Sequence, residues 1–330
     1  MSYITLSREN FFYNLDKIAK QTKSVDKIAL VLKDNAYGHG ICEMASLAKE
    51  YGVTKAVVRS NNEAKKVEEF FEYVLVLADI PQEKSPKVRY TINDISAIKK
   101  FPKDTLVELK VNTGMNRNGI SMDEVQSVIE LIQEQGLKLE AIFTHHGCAD
   151  ELNGVYELQK SNFLEVKKSS PKGLRFHSCN SAALFRESDF SEDMARVGIA
   201  AYGCMELPRE ISLEEFKPVL SLYAQKISSQ VVKKGEYIGY GATLEVCDEC
   251  LVSNYDIGYG DGFFRANSNV YETPEGVKIA GRVSMDNSSF LSNEEELLLF
   301  NDASKVAEVV GTISYEVLTS LKAYIKRQIV

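Results

Sequence analysis

Through about its first 205 residues the chain repeats one pattern: a short apolar run, then an amphipathic helical stretch. "IALVL" (28–32) is followed by "ICEMASLAKEYG", where Ile41, Met44, Ala45, Ala48 and Tyr51 fall near one helical face. "KAVV" (55–58) precedes the helical "NNEAKKVEEFF", and "YVLVLAD" (73–79) follows. "TINDISAIKK" reads as strand into helix. "TLVELKV" (105–111) leads through a loop into "SMDEVQSVIELIQEQG", with Ser121 as N-cap and Gly136 as C-cap. "LEAIFTH" (139–145), "LRFHSC" (174–179) and "ARVGIAAYG" (195–203) read as later strands. Seven or eight such units, by our count, demand parallel strands, as a barrel or a doubly wound sheet.

After that the texture changes. From "FKPVLSLYAQKISSQVV" onward the helical period fades, and short β-type runs separated by glycine take over: "EYIGYGATLEV", "YDIGYGDG", "VKIAGRVSMD", "ELLLF". A boundary near Phe216 divides an α/β unit, 1–216, from a mainly β unit, 217–330; the first few residues are expected to be able to pair with the second unit. No repeat or low-complexity segment interrupts either.

Composition narrows the function classes. Of 330 residues, 44% are hydrophobic and 26% charged, and the formal charge is −8 without a basic block, which argues against nucleic acid or an anionic membrane as partner. No apolar run is long enough for a membrane span, and "MSYITLSREN" is neither a signal nor a transit peptide. Six cysteines in a chain this long do not suggest a disulfide framework. The expected compartment is the cytoplasm.

Lys33 ends an apolar strand and opens onto "DNAYGHG". Strand ends at the C-terminal face are where a β/α barrel builds its active site. Desolvation there lowers an amine's pKa and suits it to Schiff-base chemistry, although a lysine at a strand end also snorkels for no functional reason. The pattern recurs. Arg117 lies in a Gly-flanked loop after a strand, His145 and His146 at another strand end, and Ser181 at a helix start, where a hydroxyl and free N–H groups suit a phosphate. "ARVGIAAYG" supplies more N–H donors in a late loop. Other motifs fail: "GHGICE" is not GxGxxG, no Walker loop occurs, and "CDEC" (247–250) lacks a second pair of zinc ligands. A metal at His145, His146 and Asp150 is disfavoured because adjacent strand residues face opposite sides.

Taken together, "VLKDNAYGHG", "LKVNTGMNRNGI", "THHGCADE", "CNSAALFR", "ARVGIAAYG", "YIGYGAT", "IGYGDG", "GRVSMD" and "TISYEVL" resemble, in order and over nearly the whole chain, the motifs of alanine racemases. The resemblance implies an N-terminal (β/α)8 TIM-type barrel, a mainly β C-terminal domain and pyridoxal 5′-phosphate as cofactor. It implies that Lys33 carries the cofactor as a Schiff base and acts as one base, with Tyr240 as the second. Tyr37, Ser181, Gly198, Ile199 and Tyr315 would hold the phosphate, and Arg196 would face the pyridine nitrogen. His145 would belong to a hydrogen-bond network near Tyr240. Arg117 would orient the carboxylate side, Met285 would bind substrate through its backbone, and Tyr259 and Asp286 would form the entrance wall. Lys110 aligns with a lysine carbamylated in many relatives. The implied enzyme is a homodimer with shared active sites, turning L-alanine into D-alanine for peptidoglycan; the alternative is a broader racemase, accepting serine for instance.

The chemistry agrees with these roles. Racemisation removes a proton from one face of Cα and returns it on the other, so two bases are wanted. A free phenol has a pKa of about 10, so Tyr240 needs a polar or cationic setting. Arginine stays protonated, so Arg196 disfavours a pyridinium and weakens the electron sink. That favours racemisation over decarboxylation, and the second domain with Tyr240 argues against a non-catalytic pyridoxal-phosphate carrier. The chain departs from the family pattern at Asp34, Asn112, Asn118, His146 and Ser284.

Overall fold

The computed structural model describes residues 1–208, 210–211 and 215–330. Its strands in chain order are β1 (Tyr3–Leu6), β2 (Ile28–Val31), β3 (Lys55–Val58), β4 (Tyr73–Val76), β5 (Val88–Ile92), β6 (Leu106–Lys110), β7 (Lys138–Phe143), β8 (Arg175–His177) and β9 (Ala195–Val197). There follow β10 (Leu220–Val232), β11 (Tyr237–Ile238), β12 (Leu244–Glu245), β13 (Cys250–Tyr255), β14 (Ser288–Phe290), β15 (Glu296–Phe300) and β16 (Lys326–Ile329).

Eight parallel strands, ordered β8-β7-β6-β5-β4-β3-β2-β9, form a nearly closed barrel. The seam between β8 and β9 is bridged by Arg196 N–H donating to the Cys179 carbonyl at 2.9 Å. Burial drives the closure. β2 and β4 are buried at every position, as continuous apolar runs in a parallel sheet require. Helix Ile41–Tyr51 buries Ile41, Met44, Ala45, Leu47 and Ala48 against the barrel, close to the face read from sequence.

The repeated pattern breaks at one connection, and two local readings change. β4 and β5 are joined by an irregular segment without a helix, where Pro81 and Pro86 interrupt any helical run. "DISAIKK" is a 3₁₀ turn, Ile95–Lys100, cut short before Pro102. Ser121 makes no side-chain cap; a 3₁₀ turn, Met122–Glu124, precedes the α-helix Val125–Glu134.

The second sheet has six strands, with order β14-β13-β10-β1-β16 and β15 also pairing β10. β1 runs antiparallel to β10 and parallel to β16. The C-terminal region is not purely β: helices Ala303–Val310 and Ser314–Ser320 follow β15. "VKIAGRVSMD" forms only isolated bridges, because "IGYGDG" packs backbone to backbone against it. A Cβ on Gly258 would stand 2.2 Å from the Met285 carbonyl oxygen.

Candidate active site

Lys33, Lys110 and His145 come to the same end of the barrel because each follows or closes the C-terminal end of a strand. Together with Tyr37, Arg117, Ser181, Arg196, Gly198, Ile199 and Tyr315 they line a cavity of about 680 Å³. Asp34, Phe143, His146, Asp150 and Thr319 complete much of its wall.

The segment after Lys33 is not an ordinary loop. Asp34, Asn35, Ala36 and Tyr37 have φ of 55°, 56°, 53° and 50°, a left-handed helical turn, and Gly38 continues it at 77°. For non-glycine residues this costs roughly 1–2 kcal/mol each. Its contacts hold it. Glu63 accepts from the Asp34 N–H at 2.7 Å, Leu32 O from Ala36 N–H at 2.9 Å, and Asn35 Oδ1 from Ile41 N–H at 3.0 Å. The turn swings Tyr37 back over the barrel mouth, its ring 5.7 Å from that of Tyr315.

Lys33 stands in the wall of this cavity. Its side chain is 36% exposed and its Nζ lies 3.8 Å from Asp34 Oδ2. The other oxygen of Asp34 forms an ion pair with Arg59 at 3.0 Å. The shielded lysine is Lys110: burial, with Arg117, Arg196 and Lys33 nearby, lowers its pKa to about 8. Burial and the same arginines, with Lys110, hold His145 well below the ordinary imidazole range. His145 and His146 lie beyond the end of β7, and both reach the cavity, contrary to the opposite-face reading. His146 is buried edge-on to Tyr156, with its pKa lowered to about 4 mainly by desolvation.

An anion cradle faces the cations. Ser181 Oγ accepts the N–H groups of Gly198 and Ala200 at 3.1 and 3.3 Å, leaving its own O–H to donate elsewhere. Burial raises the pKa of both Tyr37 and Tyr315, so each keeps a phenolic proton to donate. A Cβ on Gly198 would fill this space, 2.9 Å from the Tyr37 hydroxyl. Arg196 spends its Nη protons on His177 Nδ1, His177 O, Thr144 O and Ser178 O. Its Nε–H has no acceptor among the described residues, and the side chain lines the cavity.

Asn112, a departure from the usual aspartate, still organises its loop: Oδ1 accepts from Gly114 and Asn116 N–H at 3.1 and 3.0 Å. Arg117 is thereby presented at the rim.

Tyr240, Met285, Tyr259 and Asp286 do not line this cavity. Tyr240 is 68% exposed and borders a separate cleft with Arg282 and Ser284. Tyr259 and Met285 are neighbours, tied by Tyr259 N–H to Ser284 O at 3.0 Å and Gly260 N–H to Met285 O at 2.8 Å. The sequence-derived site therefore falls into two groups within one chain. Another cleft, of about 410 Å³ on the barrel's flank, offers little free chemistry, since Lys160 and Lys167 pair with Glu187 and Glu192 at 2.7 and 2.6 Å.

Comparison with known proteins gives the family. The N-terminal domain model of alanine racemase matches residues 6–206, and the C-terminal domain model matches 219–329. The chain belongs to the alanine racemase family. Alanine racemase of Nitratiruptor sp. is 42% identical, covering 99% of both chains, and that of Campylobacter jejuni (strain 81-176) is 40% identical over 100% of both. The crystal structure of alanine racemase from E. faecalis superposes with a TM-score of 0.89 at 26% identity, covering 100% of this chain and 98% of that one.

Sequence reasoning passed over two residues beneath the cavity. Glu108 and His177 are fully buried and joined at 2.8 Å. Their signal was a charge or imidazole inside an apolar strand, Glu108 two residues before Lys110 and so on the same inward face.

Proposed function

We propose that this chain is a pyridoxal 5′-phosphate-dependent racemase that interconverts L- and D-alanine. One observation carries the reading: an amine, a phosphate-sized cradle and a set of cations converge in one cavity at the C-terminal mouth of a barrel. The residues fit the cofactor. Lys33 supplies the amine, Tyr37, Ser181, Ile199 and Tyr315 the phosphate donors, Gly198 the room for the phosphate, and Arg196 Nε–H a donor toward the pyridine nitrogen. When bound, the cofactor supplies the electron sink that makes the Cα proton removable.

The chain's own residues do the rest. Lys33 exchanges the proton on one face of Cα and Tyr240 on the other. Arg117 and the Met285 backbone orient the substrate carboxylate, while Tyr259 and Asp286 form the entrance wall. His145, held neutral, belongs to the network that connects to Tyr240. The uncharged amine of Lys110 adds to CO₂ and releases one proton; the resulting carbamate is an anion among Lys33, Arg117 and Arg196. The barrel unit, 1–216, binds the cofactor, and the unit 217–330 covers a second copy's barrel. Tyr240's place in a cleft separate from the Lys33 cavity supports such a shared site in a homodimer. The product supplies peptidoglycan synthesis in the cytoplasm. Among the described residues no helix is long and apolar enough to cross a membrane.

The test is enantiomer exchange. L-alanine incubated with the protein and cofactor should yield D-alanine, detected with a coupled D-amino-acid oxidase. Borohydride should fix a pyridoxyl label on Lys33. No D-alanine from cofactor-loaded protein, or a label on another lysine, refutes the assignment.

A further inference from the structure

Polar chemistry continues below the cavity. His177, fully buried on β8, lies between Arg196 and Glu108, with Nδ1 2.5 Å from Arg196 Nη1 and Nε2 2.8 Å from Glu108 Oε2. A guanidinium only donates, so Nδ1 must accept and the ring proton must sit on Nε2. Burial lowers the His177 pKa; Glu108 opposes this and Arg196 adds to it, and the net shift is downward. Phe143 stacks on the ring at 4.7 Å and 12°, fixing its plane.

Glu108 is the anion at the end of this line. Burial alone would raise its pKa, but His177, Arg175 and the Tyr73 hydroxyl bring it below the ordinary carboxylate range. Tyr73 donates to Oε1 at 2.5 Å and Arg175 at 3.1 Å. Arg175 also donates to Glu140 at 2.9 Å, and Arg89 to the same carboxylate at 3.0 Å, near the barrel's opposite end. The line therefore joins the cavity to the far floor.

We propose that Glu108 is a positioning residue for Arg196, acting through His177 to set how strongly Arg196 Nε–H presents positive charge to the cavity. A carboxylate on Nε2–H makes Nδ1 a stronger acceptor, and Nδ1 in turn draws on the guanidinium. Removing that negative charge while keeping the shape leaves Arg196 a stronger electron-withdrawing donor. The consequence for catalysis rests on the cofactor reading above; the hydrogen-bond relay does not.

The chain has only four histidines, so ¹⁵N-histidine labelling resolves them, and loss of one set of signals in His177→Gln assigns the ring. In the holoenzyme, His177 should be neutral and protonated on Nε2. Glu108→Gln should keep that tautomer but shift the Nδ1 resonance toward that of an unbonded ring nitrogen. Tyr73→Phe removes one donor from the carboxylate and should shift it the other way. The visible band of the bound cofactor should move in both variants. kcat should fall in Glu108→Gln with KM nearly unchanged, as for an interaction that acts in the transition state and not in substrate binding.

A proton on Nδ1 in the unsubstituted protein overturns the proposal. So does an unmoved Nδ1 resonance in both variants, or a moved resonance with unmoved visible band and kcat. If Glu108→Gln does not fold, the unsubstituted tautomer and Tyr73→Phe still decide. If the protein binds no pyridoxal phosphate, the cofactor reading fails while the resonances still test the relay.

Discussion

Lys110 is shielded among cations, and that has a measurable cost. The folded chain releases its proton near pH 8, against an ordinary lysine value of 10.5. Between those values the unfolded chain binds the extra proton, so stability rises with pH across that window, and below pH 8 the full penalty applies. The shift corresponds to about 3 kcal/mol. Lys110→Met should therefore raise the melting temperature of the cofactor-free protein at pH 7, with the gain fading toward pH 10.5. In ¹³C-bicarbonate the unsubstituted protein should show a carbamate resonance that Lys110→Met lacks; its absence would leave Lys110 as a bare amine. Arg196→Glu belongs to the same scale. It should depress racemisation and give a long-lived, long-wavelength absorbing species. It should also destabilise the fold, since buried acceptors on Thr144 and Ser178 lose their donor at about 1–3 kcal/mol each. Normal racemisation without a new band would refute the electronic role given to Arg196.

Among the elements, the left-handed turn is the most exacting. A Cβ on Gly38 would stand 2.0 Å from the Leu318 carbonyl oxygen, at a φ that side chains rarely adopt. Gly38→Ala should abolish cofactor binding, read as loss of the visible band, and cost several kcal/mol in stability. Asn35→Ala should be milder, about 1 kcal/mol, the value of a lost helix cap. Equal stabilities for the two variants would mean that the turn is softer than its contacts imply. This turn was the least legible part of the site in the sequence. Asp34 and Asn35 tolerate left-handed backbone, but nothing local predicts it for Ala36 and Tyr37, whose conformation is imposed by Glu63 and by the packing of Leu318 and Tyr315. The barrel strands were legible because parallel burial leaves uninterrupted apolar runs. The second domain was harder: "VKIAGRVSMD" has strand composition, yet its backbone is shaped by contact with Gly258 and Gly260, far from it in sequence. Glu108 and His177 were in plain view, but only the strand order, with β6 and β8 on either side of β7, brings them close enough to pair.

For the whole molecule, the separation of Lys33 from Tyr240 makes a sharp prediction. Lys33→Ala and Tyr240→Phe homodimers should each be nearly inactive. If sites are shared, a mixed dimer collects both lesions in one site and leaves the other intact. After random reassortment of equal amounts, activity should recover to roughly a quarter of wild type by two-fold counting. No recovery after verified subunit exchange would place both bases in one chain's site.

β1 carries a different consequence, in time. Its residues 3–6 leave the ribosome before any barrel strand, yet their hydrogen-bond partners are β10 and β16, with Tyr3 opposite Tyr223 and Lys326. The barrel strands can pair in order of synthesis, while this opening strand must wait, unpaired, for residues near both 220 and 329. Arg327, within β16 and opposite Ile4, donates to the Gly38 carbonyl at 2.8 Å and so braces the turn that follows Lys33. The turn beside Lys33 is thus braced by a residue made well after the barrel, and a stalled nascent chain that contains every barrel strand would still carry that turn unbraced.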